Sequence, residues 1–384
     1  MPTIVLAPDS FKGCLTAEAV TAAMTAGLKR VWPEVEVLAL PMADGGEGTL
    51  DAVLAATGGV RASTRVAGAN GRPVEVPYGL LQTAAGETAV LEAAAVVGLT
   101  LAGDEPVARR STQGLGELLR HCLDQGVRRF MLGLGGSSTN DGGAGLLSAL
   151  GVRLLDAAGH ALEPTPEGLT TLDRVNFTGL DPRLKQCAIT LMTDVQNPLC
   201  GPLGATAVFG PQKGVTTDQI AVFDTRLRHW ADRCDAWAGE AISERAGAGS
   251  AGGLGYALQL LGAENRSGAE VVAELAGLDA MLARADWAIT GEGRSDAQTL
   301  LGKAPYVVAQ HARRAGVPVS LLSGALDGAA LAELTLHFDG CFALSERPMS
   351  LASAMAEATR LLADRTEQMA RLLTKVGIQR KGRA

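Results

Sequence analysis

At both ends of this chain, short apolar runs close on polar, glycine-bearing turns, and this rhythm limits the possible folds more than any other feature. Residues 3–7 lead into Pro8-Asp9-Ser10-Phe11-Lys12-Gly13 and a helically spaced stretch over 16–30. Residues 35–40 lead into Pro41-Met42-Ala43-Asp44-Gly45-Gly46-Glu47-Gly48 and a helix expected over 49–56. The pattern returns at 286–290, closed by Gly291-Glu292-Gly293-Arg294-Ser295-Asp296, at 317–322, closed by Ser323-Gly324-Ala325, and at 340–344. Strand, turn and helix repeated in this way build a parallel sheet with right-handed crossovers. The expected architecture is therefore α/β, with a doubly wound parallel sheet formed by the N- and C-terminal segments and an inserted mixed α/β domain. Residues 1–65 and 281–384 make the first domain and residues 66–280 the second. Open α/β sheets hold ligands at the carboxyl ends of their strands, which places the expected site in the cleft between that edge and the insert.

Asp9, Ser10 and Lys12 fall at such a strand end, as do Asp44, Gly45, Gly46 and Glu47. Asp44 and Glu47 put two carboxylates on one flexible turn, which suits Mg²⁺, a cation that takes one or two protein carboxylates and keeps water and phosphate as its other ligands. Acidic residues are also favoured at helix starts for dipole reasons alone. From about Arg61 the rhythm breaks. Segments at 63–66 and 74–78 flank an Asn-Gly hairpin signal, and a strand over 88–91 ends in Glu92, a charge that must be paired or face a cleft. A helix is expected from 111 to about 125.

The densest polar chemistry follows the strand expected at 127–131: Leu132-Gly133-Leu134-Gly135-Gly136-Ser137-Ser138-Thr139-Asn140-Asp141-Gly142-Gly143-Ala144-Gly145, then an apolar run over 146–150. Read as strand, glycine turn and helix N-terminus, it is an anion seat, with Ser137, Ser138, Thr139 and Asn140 as neutral donors. Asp141 has no reason to sit near phosphate unless a cation lies between them. The same residues also fit a plain strand-to-helix connection with Asn140 or Asp141 as N-cap. Asp194 lies just past a strand over 187–192. Phe209-Gly210-Pro211-Gln212-Lys213-Gly214 reads as a turn, residues 218–242 as a helix with a charged face, and 247–255 as a loop into a helix. The basic residues 375–384 are expected to fray.

Composition excludes several classes. Across 384 residues the chain is 47% hydrophobic and 20% charged, enough for a large core. A net charge of −7 with no dense basic run before the last residues argues against nucleic acid and anionic membrane as partners, and 4% aromatic content argues against base stacking. Six scattered cysteines form no C-x-x-C pair, so neither a zinc site nor a disulfide framework is signalled. With no charged leader and no apolar run of membrane-spanning length, the protein is expected to be soluble and cytoplasmic. Only seven of the 34 basic residues are lysines. Lys12, Lys213 and Lys303 lie beside glycine in loop-like motifs, where a compact charge on a flexible stem suits a phosphate oxygen better than Arg does.

Together these blocks resemble the type-1 glycerate kinase family. The matching stretches are Ala7-Pro8-Asp9-Ser10-Phe11-Lys12-Gly13, Pro41-Met42-Ala43-Asp44-Gly45-Gly46-Glu47-Gly48-Thr49, Gly135 to Gly143, Thr193-Asp194-Val195 with Asn197-Pro198-Leu199, Phe209 to Gly214, and Thr290-Gly291-Glu292-Gly293 with Asp296, Gln298-Thr299 and Gly302-Lys303. The resemblance implies a flavodoxin-like domain with an insert, and ATP-dependent phosphorylation of D-glycerate, usually at the 2-hydroxyl. Cys14 and the stretch Arg109-Arg110-Ser111-Thr112-Gln113 depart from the family pattern. The absence of Walker, protein-kinase and dinucleotide motifs removes those rival readings.

Phosphoryl transfer needs positioning and charge neutralisation more than covalent chemistry. On that basis Lys12, Lys213 and Lys303 are expected on phosphate oxygens or the glycerate carboxylate, with Asp9, Ser10, Gly45, Gly46 and residues 135–141 also around the substrates. Mg²⁺ is expected on two of Asp44, Glu47, Asp194, Glu292 and Asp296. Asp194 is the preferred proton acceptor, with Lys12 and Asp44 beside it as catalytic groups. Glycerate 3-phosphorylation, a metal-dependent phosphatase of small phosphorylated acids and a non-catalytic sensor stand as alternatives, and the chain is expected to be a monomer or homodimer.

Overall fold

The structure is a computed structural model that describes residues 1–84 and 86–376. Of the tail expected to fray, residues 377–384 lie outside the described residues, whereas Lys375 and Val376 close the helix Ala358–Val376. The chain divides into two compact units. The first comprises Met1–Asp44, Asp51–Thr57 and the residues from Ser267 onward; the second comprises Gly45–Leu50 and Gly58–Arg266.

The first unit is built on five parallel strands in the spatial order Gly340–Ala343, Val319–Ser323, Trp287–Thr290, Thr3–Leu6 and Glu36–Ala39. Numbered along the chain the order is 2-1-3-4-5, the flavodoxin-like form of the doubly wound sheet expected from the sequence. Every residue of Thr3–Leu6, Trp287–Thr290 and Val319–Ser323 is buried. A strand covered on both faces reads as a largely apolar run, which is why these three were visible in the sequence. Ile4, Leu6, Trp287 and Ile289 join Val20, Met24 and Leu28 of the helix Ala17–Lys29, and Leu361, Leu362 and Met369 of Ala358–Val376, in one core. Thr16 caps the first of these helices, its hydroxyl accepting from the Ala19 amide at 3.3 Å. A Cβ at Gly27 would collide with the Ala363 carbonyl, so the two helices touch backbone to backbone there. Alternation along the strands turns Val5 and Ala288 to the opposite face, where Ala304–Ala315 packs on Trp287–Thr290 and Val319–Ser323.

The second unit carries a six-stranded mixed sheet in the order Glu264–Arg266, Ala188–Met192, Arg129–Gly133, Gly86–Glu92, Pro73–Thr83 and Val60–Ala67. Its last three strands form antiparallel pairs, with Val66 opposite Val74, and the others run parallel. Glu92, Gly133 and Met192 stand in register across the carboxyl edge. The expected turn at 209–214 is corrected: residues up to Lys213 belong to the helix Ala205–Lys213, which contains Pro211 and ends on left-handed Gly214. Pro211 lies so near the end that its missing N–H and rigid ring disturb only the last turn. Among the described residues no helix is long and apolar enough to cross a membrane.

Candidate active site

In the first unit, charged groups gather at the carboxyl edge of the parallel sheet. Asp9 follows the first strand and is held by its own amide, which donates to Gly291 O at 2.8 Å; its carboxylate accepts from the Ser10 amide at 2.6 Å. Lys12 donates to Asp44 at 3.0 Å. Glu292, just past the strand Trp287–Thr290, accepts from Thr299 Oγ1 at 2.6 Å and Ser295 Oγ at 3.0 Å, and lies 3.8 Å from Lys303 Nζ. Ser323, ending the next strand, lies 2.7 Å from Ser295 Oγ.

Burial shapes the electrostatics here. The Asp9 carboxyl is pushed up to about 7, first by desolvation and then by the charge of Asp44, while Lys12 pulls the other way. Glu292 is also raised by burial, against the hydrogen bond from Thr299 and the charge of Lys303. Partial burial pulls the Lys12 ammonium down, yet the charge and hydrogen bond of Asp44, with Asp9 and Glu292 behind, leave it raised. The result is a cluster with more carboxylates than ammonium groups, the lysines reaching out from its rim. A carboxyl that titrates near neutrality can give or take a proton at working pH.

Asp296 caps the short turn Ala297–Leu301 by accepting from the Gln298 amide at 2.9 Å, which directs it into local structure. Thr299 and Ser295, which fix Glu292, were not singled out by residue chemistry, because neutral hydroxyls carry no signal until their partner is known.

In the second unit, the strand end at Gly133 continues into the glycine-serine loop. Gly45 and Gly46 lie against it: a Cβ at Gly135 would meet Gly46 Cα, and the Gly135 amide donates to Gly45 O at 3.2 Å. These glycines let two loops touch. The helix Ala144–Ala149 does not offer its first amides to a ligand. Asp141 is fully buried and accepts from Gly143 N at 3.1 Å, Gly145 N at 3.2 Å, Thr112 N at 2.8 Å and Thr112 Oγ1 at 2.7 Å. The helix N-terminus expected as an anion seat is therefore filled by the protein's own carboxylate, while the N-cap position itself is left-handed Gly143, neither Asn140 nor Asp141.

A similar substitution occurs at Asp44-Gly45-Gly46-Glu47-Gly48, which shares the form D-G-G-x-G with Asp141-Gly142-Gly143-Ala144-Gly145. Glu92 accepts from Leu50 N at 2.8 Å at the start of Thr49–Thr57, and burial raises its carboxyl. Exposed Glu47 adds repulsion there. The charge at Glu92 thus proves paired, with backbone amides.

Lys213 is 4% exposed and donates to Ser137 Oγ at 3.1 Å and Thr139 O at 2.8 Å. Desolvation brings its ammonium down to about 7, with the Asp141 charge opposing. Arg110, which sequence reasoning set aside, is buried in the same place and donates to Ser138 O at 3.1 Å and Lys213 O at 3.0 Å. Asn140 donates to Thr206 Oγ1 at 2.8 Å. Asp194 is half-buried two residues beyond Ala188–Met192.

Buried carboxylates with lysines on glycine turns at a parallel sheet's edge, and a second unit presenting a buried-lysine loop, define an α/β enzyme of the phosphoryl-transfer type without a Walker loop. Residues 4–374 match the model of the glycerate kinase family. A glycerate kinase of Bacillus subtilis strain 168 is 41% identical over 365 residues, 94% of each chain. The glycerate 2-kinase of Escherichia coli K12 is 41% identical over 327 residues, 84% of this chain and 85% of its own. A crystal structure from Salmonella typhimurium LT2, assigned as glycerate kinase 2, superposes with a TM-score of 0.83 at 41% identity, covering 98% of this chain and 99% of that one. The chain belongs to the glycerate kinase family.

Proposed function

We propose that this enzyme transfers the γ-phosphoryl group of ATP to the 2-hydroxyl of D-glycerate, giving 2-phospho-D-glycerate and ADP. The observation that carries the reading is the group Asp9, Lys12, Asp44, Glu292 and Lys303 at one sheet edge, in a family whose Escherichia coli relative is named glycerate 2-kinase. Lys12 and Lys303 would neutralise phosphate oxygens or the glycerate carboxylate, with Ser10 beside them. The 2-hydroxyl oxygen forms its bond to the γ-phosphorus as the bond to the bridging oxygen of ADP breaks. The hydroxyl proton passes to a carboxylate, for which we retain Asp194.

Mg²⁺ fits this donor set. Among the described residues no three His, Cys, Asp or Glu side chains converge into a protein-only cage, and Mg²⁺ requires none, since phosphate and water complete its shell. Asp44 and Glu292 are the carboxylates that would hold it, and its chemistry would be to neutralise charge on the transferring phosphate. Six free cysteines suit a reducing compartment such as the cytoplasm.

The test is ADP formation with D-glycerate and Mg²⁺, the product being read through enolase without added mutase. Signal through enolase supports the kinase and the 2-phosphate together. ADP without that signal points to the 3-hydroxyl, and ATP consumption without glycerate points to a phosphatase.

A further inference from the structure

We infer that Arg110 and Lys213 are positioning residues that shape the backbone of Ser138-Thr139-Asn140 into a seat for a substrate oxyanion; this rests on the kinase reading above. Both cations are buried, and each donates to a carbonyl of the loop. Arg110 Nη1 donates to Ser138 O at 3.1 Å and to Lys213 O at 3.0 Å, while its Nε donates to Glu105 O at 2.8 Å. Lys213 Nζ donates to Thr139 O at 2.8 Å and Ser137 Oγ at 3.1 Å. Two successive carbonyls, of Ser138 and Thr139, are thereby drawn toward the cations.

A trans peptide sets its N–H opposite its C=O, and no peptide in the chain is cis. The amides of Thr139 and Asn140 are consequently turned away from Arg110 and Lys213. Neither amide donates to an acceptor among the described residues. Thr139 Oγ1 and Asn140 Oδ1, beside them, are buried without partners. Successive amides turned to one side make an anion-binding concavity, and the Arg110 charge behind it, joined by Lys213 when that is protonated, strengthens the attraction. Lys213 thus acts through the loop, in place of the direct phosphate contact expected from its sequence motif. A nucleotide phosphate and the glycerate carboxylate share the chemistry this seat requires.

The experiment compares wild type, Arg110→Met, Lys213→Met, the double variant and Arg110→Lys, each checked for folding by circular dichroism and Tm. KM is measured separately for ATP and for D-glycerate. In each Met variant one KM should rise about tenfold while the other stays within about twofold, and whichever moves identifies the anion. The double variant should be no worse than the worse single, because both side chains act through one loop. Arg110→Lys, which keeps the charge and can reach one carbonyl, should recover part of the loss, and it replaces Arg110→Met if that variant does not fold. Unchanged KM values in folded variants, an equal rise in both, or fold-changes that multiply in the double variant would each overturn the inference. If the wild type forms no ADP with glycerate, the kinase reading fails separately, and calorimetry with ADP and with glycerate decides the loop. A tenfold loss of affinity for either ligand in the variants upholds the seat; no loss for either, or no binding by the wild type, overturns it.

Discussion

Asp9 and Asp194 are the same residue type, each just past a strand, yet their surroundings give them different chemistry. Asp9 is buried among like charges and is driven up to about 7, whereas Asp194 lies half-buried at the edge of a separate sheet. The sequence pointed to both as acids at strand ends. It preferred Asp194 as the proton acceptor and could not show how deeply each is buried, because desolvation depends on what the rest of the chain packs around each carboxyl. The same limit applied to Arg110, which looked like a departure from a motif and proves to be a buried tie between loops. The proton-acceptor assignment is open to a direct check. Asp194→Asn should lower kcat by about 10²-fold or more with Tm nearly unchanged. A folded Asn variant with near wild-type kcat would move the role to another carboxylate, with Asp9 the first to try.

Among the elements, the two D-G-G-x-G turns illustrate how alike sequence can conceal unlike wiring. At the second, Asp141 within the motif fills the helix start, while at the first the carboxylate comes from Glu92, 42 residues further on. The sequence had flagged both turns, and Glu92 as a charge needing a partner, but the pairing of Glu92 with Leu50 is a property of strand register. Glu92→Ala should therefore destabilise the protein by about 2 kcal/mol, measured by urea denaturation, since it strands buried amides. Glu92→Gln, which keeps one acceptor, should cost less. The βα rhythm itself was legible because fully buried parallel strands are mostly apolar. The helix Ala205–Lys213 was lost to its Gly-Pro pair, a turn signal that packing overrode.

At the scale of the whole molecule, burying Lys213 costs stability in a pH-dependent way. Its ammonium titrates near 7 in the folded protein against 10.5 ordinarily, so between those values the unfolded chain holds a proton that the folded chain has released. Stability from this group is lowest below pH 7 and recovers as pH rises toward 10.5. Relative to Lys213→Met, wild type should thus gain up to about 1 kcal/mol per pH unit above neutrality, read as the difference in unfolding free energy at successive pH values.

The strand Thr3–Leu6 lies in the interior of its sheet, between Glu36–Ala39 and Trp287–Thr290. On the ribosome its neighbour on one side follows roughly 280 residues behind it, a delay on the order of tens of seconds at ordinary elongation rates. The second unit, whose strands all lie between Val60 and Arg266, can be complete before that neighbour is made. Throughout the interval one edge of an apolar strand stays open to whatever else can pair with it, so the exposure of Thr3–Leu6 during synthesis is set by the length of chain that separates it from Trp287–Thr290.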